Sequence, residues 1–319
     1  MKAIVYETYG PPEVLRYAEI DAPVPKDDEV LVRLEATSIN FADRAAMRGE
    51  PRLMRLAFGL TRPKATVLGR DIAGVVQAVG AKVTRFRPGD RVAGEVEQRG
   101  FAELVSAKES YLSSIPHGVP AKQAATTPVA GVTALRAVRL AGVQKGQKVL
   151  VNGSSGGVGT FLVQLARLAG AEVTAVCSTR NVDLVKADHV IDYTKADFTQ
   201  GTKIYDVIVD LVGNHPLAAM RRVLAPQGIY IASFGNGGPV LGPVGKFLSI
   251  SLISMFSRQK LRVLVAKRDI RDLDELLRHI ADGAVIPVID REYPLSAAAD
   301  AIRMLEKEHA RGKVILSVE

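Results

Sequence analysis

The sequence predicts an α/β protein with a β-rich domain and a second domain built on a doubly wound parallel sheet. Residues 1–120 contain short strand-like segments separated by turn residues. From residue 147 onward, apolar strand-like and helical segments alternate, as they do in a parallel sheet covered by helices. A glycine-rich loop joins the first strand of that alternation to its first helix.

The β-rich domain is predicted from segments whose apolar residues suit strands. Gly, Pro and Asp clusters such as YGPP and RFRPGD separate them and indicate turns. The predicted strands cover residues 1–7, 29–37, 71–80 and 101–107.

The parallel-sheet domain is expected to begin at residue 121. Residues 121–142 are rich in alanine and predict helical segments that Pro128 separates. Continuous Val and Ile runs then favour strands that are buried on both faces. We predict strands at 147–153, 171–177, 189–193, 205–213 and 228–235, and helices at 158–170 and 182–187.

The remaining residues predict a return to the first domain. Residues 240–267 are apolar and basic without a clear period, and predict a helix and a loop. The tail predicts helices at 272–283 and 297–310 and a strand at 313–318, at a point where the parallel sheet already has its strands. The expected domains are therefore residues 1–120 with 268–319, and residues 121–267.

Composition limits the class of protein. Apolar residues make up 47% of the 319 residues, enough for a core in each domain. The single cysteine, Cys177, excludes an internal disulfide and a cysteine-rich zinc site, and fits a reducing compartment. The first residues lack the apolar region of a signal peptide, and Val240–Phe256 is short for a membrane span and contains Lys246. We therefore expect a cytoplasmic protein without a membrane span.

The net charge of +8 is unevenly distributed. Residues 44–70 carry six arginines and one lysine against Glu50 alone, which indicates either a solvated face or a field that attracts an anionic cofactor or substrate. Phe58 is the single aromatic residue among these arginines, so they do not form a stacking platform for bases. Nucleic acid is therefore the least favoured partner.

The strongest local motif is the segment Val151–Gly159, VNGSSGGVG, which follows a strand and opens a helix. Glycines there permit a tight turn and let backbone N–H groups approach a pyrophosphate, whose charge the helix N-terminus stabilises. The spacing departs from the common dinucleotide motif, and a plain strand–helix turn is the alternative. The surrounding strand–loop–helix pattern favours nucleotide binding by a Rossmann domain.

The residues that follow the second strand of that domain predict whether the cofactor is NADH or NADPH. Enzymes that use NAD usually carry an acid there, but this strand continues into Ser178, Thr179 and Arg180. An arginine can hold a 2′-phosphate through charge-assisted hydrogen bonds, although a solvated loop arginine is the alternative. The sequence therefore favours NADPH over NADH.

Several longer motifs resemble the zinc-lacking quinone oxidoreductase branch of the medium-chain dehydrogenase/reductase superfamily. The resemblance covers essentially the whole chain. Within this branch, the chain especially resembles bacterial relatives of the reticulon-interacting mitochondrial oxidoreductase. Beside the glycine loop, it is carried by SINFAD (38–43), VLGRDIAG (67–74), RPGD (87–90), GVTAL (131–135), ADHVIDY (187–193) and HARGK (309–313).

The resemblance implies a GroES-like catalytic domain split around the Rossmann domain, with the cofactor in the cleft between them, and frequent homodimers. It implies that the pyrophosphate is contacted by Ser154, Ser155, Gly156, Gly157 and Val158. It implies that Ser178, Thr179, Arg180 and Tyr193 surround the 2′-phosphate. The rest of the implied cofactor set is Val212, Ser233, Phe234, Arg311, Gly312 and Lys313.

The resemblance also implies catalytic positions. Asn40, Asp43 and Thr127 are expected at the nicotinamide end, where a turn or helix cap is the alternative role for Asn40 and Asp43. For Tyr193, burial against the edge of the sheet is the alternative to cofactor contact.

Three departures from the family pattern bear on chemistry. Zinc-dependent relatives carry Gly-His-Glu where this chain has Gly69-Arg70-Asp71, and the histidines are scattered, so we expect no metal site. Ala45 stands where many relatives have a tyrosine, so no proton donor can be carried over. The segment between Ser178 and Ala187 is short, which puts the adenosine pocket in question.

The sequence thus predicts hydride transfer from NADPH to a quinone or an α,β-unsaturated carbonyl without zinc. The cofactor supplies this chemistry, and the protein supplies orientation. An NADPH-binding module without turnover and an alcohol or ketone dehydrogenase are the alternatives.

Overall fold

The structure, a computed structural model, describes residues 1–235, 240–265, 267–308 and 310–318. His309 and Ala266 lie outside the described residues. His309 belongs to the predicted helix 297–310 and to the HARGK motif, and Ala266 belongs to the predicted segment 240–267. The chain divides into two compact units, Met1–Val132 with Arg268–Glu319, and Thr133–Lys267.

The first stretch of the chain is rich in strands. Its strands are β1 (Lys2–Val5), β2 (Arg16–Glu19), β3 (Glu29–Ile39), β4 (Asp71–Val79), β5 (Arg91–Glu95), β6 (Leu104–Lys108) and β7 (Leu112–Ser114). Its α-helices are α1 (Phe41–Arg48), α2 (Arg55–Phe58) and α3 (Ala121–Ala124). A single π-helical turn, Thr127–Gly131, follows α3.

The second unit alternates strands and helices. Its strands are β8 (Lys148–Asn152), β9 (Glu172–Cys177), β10 (His189–Asp192), β11 (Tyr205–Asp210), β12 (Leu224–Ala232) and β13 (Lys260–Val263). Helix α4 (Val132–Ala141) opens it, and α5 (Gly157–Leu168), α6 (Leu217–Arg222) and α7 (Val244–Met255) follow. The tail adds α8 (Ile270–Ala281), β14 (Ile289–Pro294), α9 (Ala298–Glu308) and β15 (Lys313–Ser317) to the first unit.

The two units have different sheets. In the second unit all strand pairs are parallel in the order β10-β9-β8-β11-β12-β13, which is the doubly wound Rossmann order with its switch point beside β8. In the first unit the larger sheet runs β14-β15-β3-β4-β5-β7, with β6 also on β3, and β15 pairs antiparallel with β3. The predicted fold class is confirmed.

Three local predictions need correction, and some strands were not predicted. Residues 182–187 form turns instead of a helix, because only eleven residues separate Cys177 at the end of β9 from His189 at the start of β10. Residues 240–267 contain the edge strand β13 besides the expected helix, because Leu261 packs into the core beside β12. Residues 121–132 pack against the strands of the first unit, so they do not open the nucleotide-binding unit. Strands β2, β5, β7 and β14 had no sequence prediction.

Buried apolar side chains explain why the tail belongs to the first unit. Ile302 and Leu316 are fully buried in one core cluster with Ile4 and Met47 from the start of the chain. Among the described residues, no helix combines the length and the apolar character that crossing a bilayer would require.

Truncating this shared core should destabilise the protein. We expect Ile302→Ala to lower the free energy of unfolding by about 2–5 kcal/mol, because it leaves a cavity among packed neighbours. Ile286→Ala, at a side chain that is 59% exposed, is the matched control and should change it by less than about 0.5 kcal/mol. Urea unfolding measures both, and equal effects would contradict a shared core.

Candidate functional site

The glycine loop is held by close backbone packing. Gly153 has a φ of 89°, and a Cβ there would lie 2.8 Å from the side chain of Val212. A Cβ on Gly159 would lie 2.2 Å from the carbonyl oxygen of Gly153, so helix α5 can approach the loop only with glycine at this position. Ser154 is fully buried, and its hydroxyl donates to the carbonyl of Val176 at 2.9 Å.

Helix α5 presents its first turn at the end of this loop. Gly156 is the extended N-cap residue, and Gly157 and Val158 are the first two helical residues, both half-buried. The N–H groups of a first helical turn have no acceptor within the helix, and the helix dipole adds positive potential. The loop therefore has the chemistry to bind a phosphate anion.

Asn181 links the glycine loop to the end of β9, and sequence analysis missed it. Its Nδ2 donates to the hydroxyl oxygens of Ser155 at 2.9 Å and Ser178 at 3.3 Å. Its Oδ1 is buried without a hydrogen-bond partner. This asparagine closes the short segment that takes the place of the expected helix, and a buried orphan amide oxygen can accept a hydrogen bond from a ligand.

The end of β10 adds a carboxylate to the predicted 2′-phosphate region. Asp192 pairs in register with Cys177, and accepts hydrogen bonds from the hydroxyls of Thr179 at 2.5 Å and Thr194 at 2.7 Å. The Thr179 hydrogen bond leads the interactions that lower the pKa of Asp192 to about 2. Arg180 and Tyr193 beside it are exposed, so burial of Tyr193 is ruled out.

Asp210 organises the loop after β11, next to the switch point. Its Oδ1 accepts from Asn152 Nδ2 and from the backbone N–H groups of Val212 and Gly213, all within 3.0 Å. The hydroxyl of Tyr230 donates to Oδ2 at 2.8 Å. The predicted cofactor residue Val212 is thereby fixed against the glycine loop.

Two other predicted cofactor residues follow β12. The backbone N–H of Ser233 donates to the carbonyl of Asp210 at 2.9 Å, and its side chain is half-buried. Phe234 is buried, and its ring lies 5.2 Å from that of Phe247 on α7. Its contacts in the structure are core contacts.

In the first unit, a buried cluster surrounds the carboxylate of Asp71. Oδ2 accepts from Ser38 Oγ at 2.5 Å, Asn40 Nδ2 at 2.8 Å and Lys313 Nζ at 3.2 Å, and Oδ1 accepts from the backbone N–H of Val129 at 2.9 Å. The ammonium of Lys313 also donates to Asn40 Oδ1 at 2.6 Å and to the carbonyl of Ile39 at 3.2 Å. These bonds fix the orientation of the Asn40 amide.

Asp43 lies one turn along α1. Its Oδ2 accepts from the backbone N–H of Asn40, the N-cap residue, at 2.7 Å, so the helix-cap role is present. Its Oδ1 is buried without a hydrogen-bond partner. Burial raises the pKa of Asp43 to about 7, the nearby Asp71 adds to the rise, and the Asn40 hydrogen bond, Arg70 and Lys313 oppose it.

The other predicted residues of this unit are also placed. Thr127 is fully buried at the start of the π turn, and its hydroxyl donates to the carbonyl of Ala124 at 2.6 Å. Arg311 is exposed, and its backbone N–H donates to Asp290. Gly312 has a φ of 109°, and a Cβ there would lie 2.3 Å from the carbonyl oxygen of Val288. The turn at Arg311 and Gly312 therefore fixes the backbone just before β15 begins.

Four arginines of the basic segment 44–70 have partners within their own unit. Arg44 and Arg48 both donate to Glu306 on α9. The guanidinium of Arg55 lies 4.6 Å from the ring centre of Tyr9. Arg70, at the position of the zinc-ligand histidine in zinc-dependent relatives, pairs with Glu95 at 2.5 Å. Among the described residues, no group of three or more His, Cys, Asp or Glu side chains is placed to hold a metal ion.

The sheet order and the glycine loop define an α/β oxidoreductase with a Rossmann unit and a GroES-like unit. Residues 26–191 match the family model described as an alcohol dehydrogenase GroES-like domain, and residues 185–316 match one described as a zinc-binding dehydrogenase. The chain belongs to the medium-chain dehydrogenase/reductase superfamily, in its quinone oxidoreductase branch.

Individual relatives agree with this assignment. The chain is 34% identical to the chloroplast envelope quinone oxidoreductase homolog of Arabidopsis thaliana, over 99% of this chain and 98% of the relative. It is 32% identical to an NADPH-dependent alkenal/one oxidoreductase of the same plant, over 99% and 79%. It is 30% identical to the mitochondrial NAD(P)H oxidoreductase RTN4IP1 of Mus musculus, over 100% and 89%. The quinone oxidoreductase structure from Coxiella burnetii has a TM-score of 0.88 at 28% identity, over 100% and 99%.

The raised pKa of Asp43 should make stability depend on pH. Between about pH 4 and about pH 7 the folded state retains a proton that the unfolded chain releases, so stability falls as pH rises through this window. Asp43→Asn keeps an acceptor for the Asn40 N–H and removes the titration. We expect its stability relative to the unsubstituted protein to improve between about pH 4 and about pH 7, by at most about 1.4 kcal/mol per pH unit, and to stay constant above that window.

Urea unfolding at several pH values measures this difference. Met47→Leu alters the same helix without a titratable group, and should shift stability by one constant amount. If the Asp43→Asn and unsubstituted curves run parallel, Asp43 is not the titrating group.

Proposed function

We propose that this chain transfers a hydride from NADPH to an electrophilic carbon of a quinone or an α,β-unsaturated carbonyl, without zinc. The packing of Gly159 against the Gly153 carbonyl is the observation that carries the proposal, because it brings the first turn of α5 close to the loop, where free N–H groups could bind the cofactor's phosphates. Relatives named as quinone and alkenal/one oxidoreductases support these two acceptor classes.

The residues present fit NADPH. Ser155, Gly157 and Val158 would bind the pyrophosphate, and Ser178, Arg180 and Tyr193 would lie at the 2′-phosphate. The Nδ2 of Asn181 joins the hydroxyls of Ser155 and Ser178, one from each group, and its Oδ1 would accept a hydrogen bond from the cofactor. When bound, NADPH supplies the hydride.

We propose that the Asn40 cluster serves the acceptor end. Lys313 donates to the amide oxygen of Asn40, which polarises the amide, and the weak 3.4 Å hydrogen bond from Nδ2 to the carbonyl of Ser38 is the one that an acceptor oxygen would replace. Thr127 and Asp43 would support this end from the π turn and from α1. Lys313 is buried, and its ammonium donates hydrogen bonds to Asp71 and Asn40, so we assign it to positioning Asn40. Arg311 and Gly312 remain proposed cofactor contacts.

Independence from zinc is supported by charge. A guanidinium, Arg70, stands in the place of a ligand histidine, and an ammonium, Lys313, already compensates the carboxylate of Asp71. A divalent cation at this position would face two positive groups and lack nitrogen or sulfur ligands.

A turnover screen tests the reaction. The purified chain should oxidise NADPH with quinones or enones and not with simple ketones, and metal analysis should find no stoichiometric zinc. Activity with secondary alcohols alone would select an alcohol dehydrogenase. A tight NADPH complex without turnover over a broad panel would select the binding module, for which Ala45 in place of a tyrosine is the supporting observation.

The cofactor assignment has its own test. Arg180→Ala should raise the KM for NADPH by about tenfold or more and leave that for NADH nearly unchanged, because a charge-assisted hydrogen bond to the 2′-phosphate is lost. Arg87→Ala is the matched control, since Arg87 is an exposed arginine of the first unit that faces Asp90 and is not among the proposed cofactor contacts. A preference of the unsubstituted protein for NADH would exclude this role.

Other expectations stay predictions. A homodimer, a cytoplasmic location and the absence of a nucleic-acid partner rest on the sequence and its resemblance. The small-molecule acceptor follows from the proposed reaction.

A further inference from the structure

Two arginines of the first unit lie around one buried carboxylate, that of Glu95. A guanidinium N–H of Arg70 donates to Glu95 at 2.5 Å. The guanidinium carbon of Arg268 lies 3.6 Å from the ring centre of Tyr111, which directly precedes β7, the strand that pairs with β5. Burial raises the pKa of Glu95, and the charges of Arg70 and Arg268 both oppose this rise. The two guanidiniums therefore share this carboxylate.

This cluster of Arg70, Arg268 and Glu95 carries more positive than negative charge. The two arginines supply two positive charges, and Glu95 supplies one negative charge. Asp71 is paired in register with Glu95, but the ammonium of Lys313 already compensates it at 3.2 Å. One positive charge is left over, which favours the binding of one further anion.

Both guanidiniums have a donor without an acceptor among the described residues. The Nε atoms of Arg70 and Arg268 are buried without a hydrogen-bond partner. Asp269, which follows Arg268 in the chain, caps helix α8 and faces Arg271 instead. The side chain of Arg70 is 29% exposed, so a ligand can reach its outer N–H groups. A buried N–H without an acceptor costs free energy, which a bound oxygen would recover.

The cluster adjoins the amide of Asn40, which we place at the acceptor end. Arg70 is followed in the chain by Asp71, whose carboxylate accepts from Asn40 Nδ2 at 2.8 Å. The charge of Arg70 also reaches Asp43 and acts to lower the pKa of that carboxyl, which burial raises. An anion bound by Arg70 would therefore lie near the group that we expect to contact the acceptor oxygen.

We propose that the acceptor carries a carboxylate and that Arg70 and Arg268 bind it. The inference rests on the proposed function and narrows its quinone and enone acceptors to anionic members of those classes. The two oxygens of a carboxylate match the fork of a guanidinium, and its single charge equals the excess of the cluster. A phosphate monoester would bring nearly two charges. The carboxylate itself does not react, because the hydride from NADPH adds to the carbon β to the ketone and a proton from water adds to the α carbon.

Turnover of matched acid and ester acceptors tests the proposal. The probes are acetylacrylic acid, its two homologues with longer chains between the double bond and the carboxylate, and the methyl ester of each. For at least one of these pairs, the acid should have a kcat/KM about tenfold or more above that of its ester, because charge-assisted hydrogen bonds are lost in the ester. The ester of acetylacrylic acid is more electrophilic than the acid, so a preference for that acid cannot arise from reactivity. Equal values, or a preference for the ester, in every pair would overturn the proposal.

A binding measurement separates this inference from the proposed reaction. Levulinic acid is a saturated keto acid and cannot accept a hydride. Calorimetry with the full chain should find that levulinate and its longer homologues include one that binds about tenfold or more tightly than its methyl ester. Such binding without turnover of any probe would support the carboxylate site and overturn the reaction. Turnover of the esters without any preference for an acid, in binding or in rate, would support the reaction and overturn the carboxylate site.

Substitutions assign the effect to the two arginines. Arg70→Gln and Arg268→Gln should each lower the affinity for the preferred keto acid and the kcat/KM of the preferred acid by about tenfold or more, and leave the values for the esters nearly unchanged. Arg70→Lys keeps the charge without the fork and should fall between. Arg48→Gln is the matched control, because Arg48 is 28% exposed and pairs with Glu306, and it should leave the ratio of acid to ester unchanged.

Circular dichroism and thermal melts confirm the fold of each variant. Should Arg70→Gln fail to fold because Glu95 loses its donor, Arg268→Gln and Arg70→Lys still decide the question. If the arginine variants lower the turnover of acid and ester by the same factor, the arginines serve the fold or the reacting carbonyl, and the proposal is wrong.

Discussion

The first unit depends on the way it accommodates the buried carboxylate of Asp71. An ionised carboxylate leaves water at a cost of several kcal/mol unless its oxygens are paired. Its donors here come from β3, the start of α1, the π turn and β15, which lie far apart in the sequence. The tail is thus joined to the first strands by a charge pair as well as by apolar packing. Removing the Lys313 ammonium would leave the carboxylate under-compensated and release the Asn40 amide.

The second unit positions its candidate site through backbone geometry. Gly153 and Gly159 permit an approach that no side chain would allow, and Ser154 secures the loop to β9. Asp210, at the end of β11 beside β8, accepts hydrogen bonds from the side chain of Asn152 and from the backbone N–H of Val212. These bonds lie next to the switch point, where parallel α/β sheets bind their ligands. The first unit orients its candidate residues through hydrogen bonds to a buried carboxylate. The second positions its loop through glycines, which have no side chain to prevent close packing.

Much of this arrangement could be predicted because its causes are local. The alternation of apolar segments predicted the parallel sheet, and the glycines predicted the loop before α5. The partners of Asp71 could not be predicted, because Lys313 is 242 residues away and only the antiparallel pairing of β15 with β3 brings it close. Asn181 and Asp192 were missed for a similar reason, since their roles depend on how tightly a short segment turns between β9 and β10. The segment 182–187 has helix-forming residues and too little length to use them.

Folding also changes the meaning of the net charge. In the sequence, the arginines of residues 44–70 form the densest basic segment and suggest a field for anions. The structure brings Glu306 and Glu95 from distant elements to Arg44, Arg48 and Arg70, so part of that charge is compensated within the first unit. The segment between Asp210 and Asp269 has sparser cations, but Arg222, Arg258 and Lys260 are exposed. Local charge density in a sequence is therefore a poor guide to surface potential, because the acids that compensate a basic segment can come from any part of the chain.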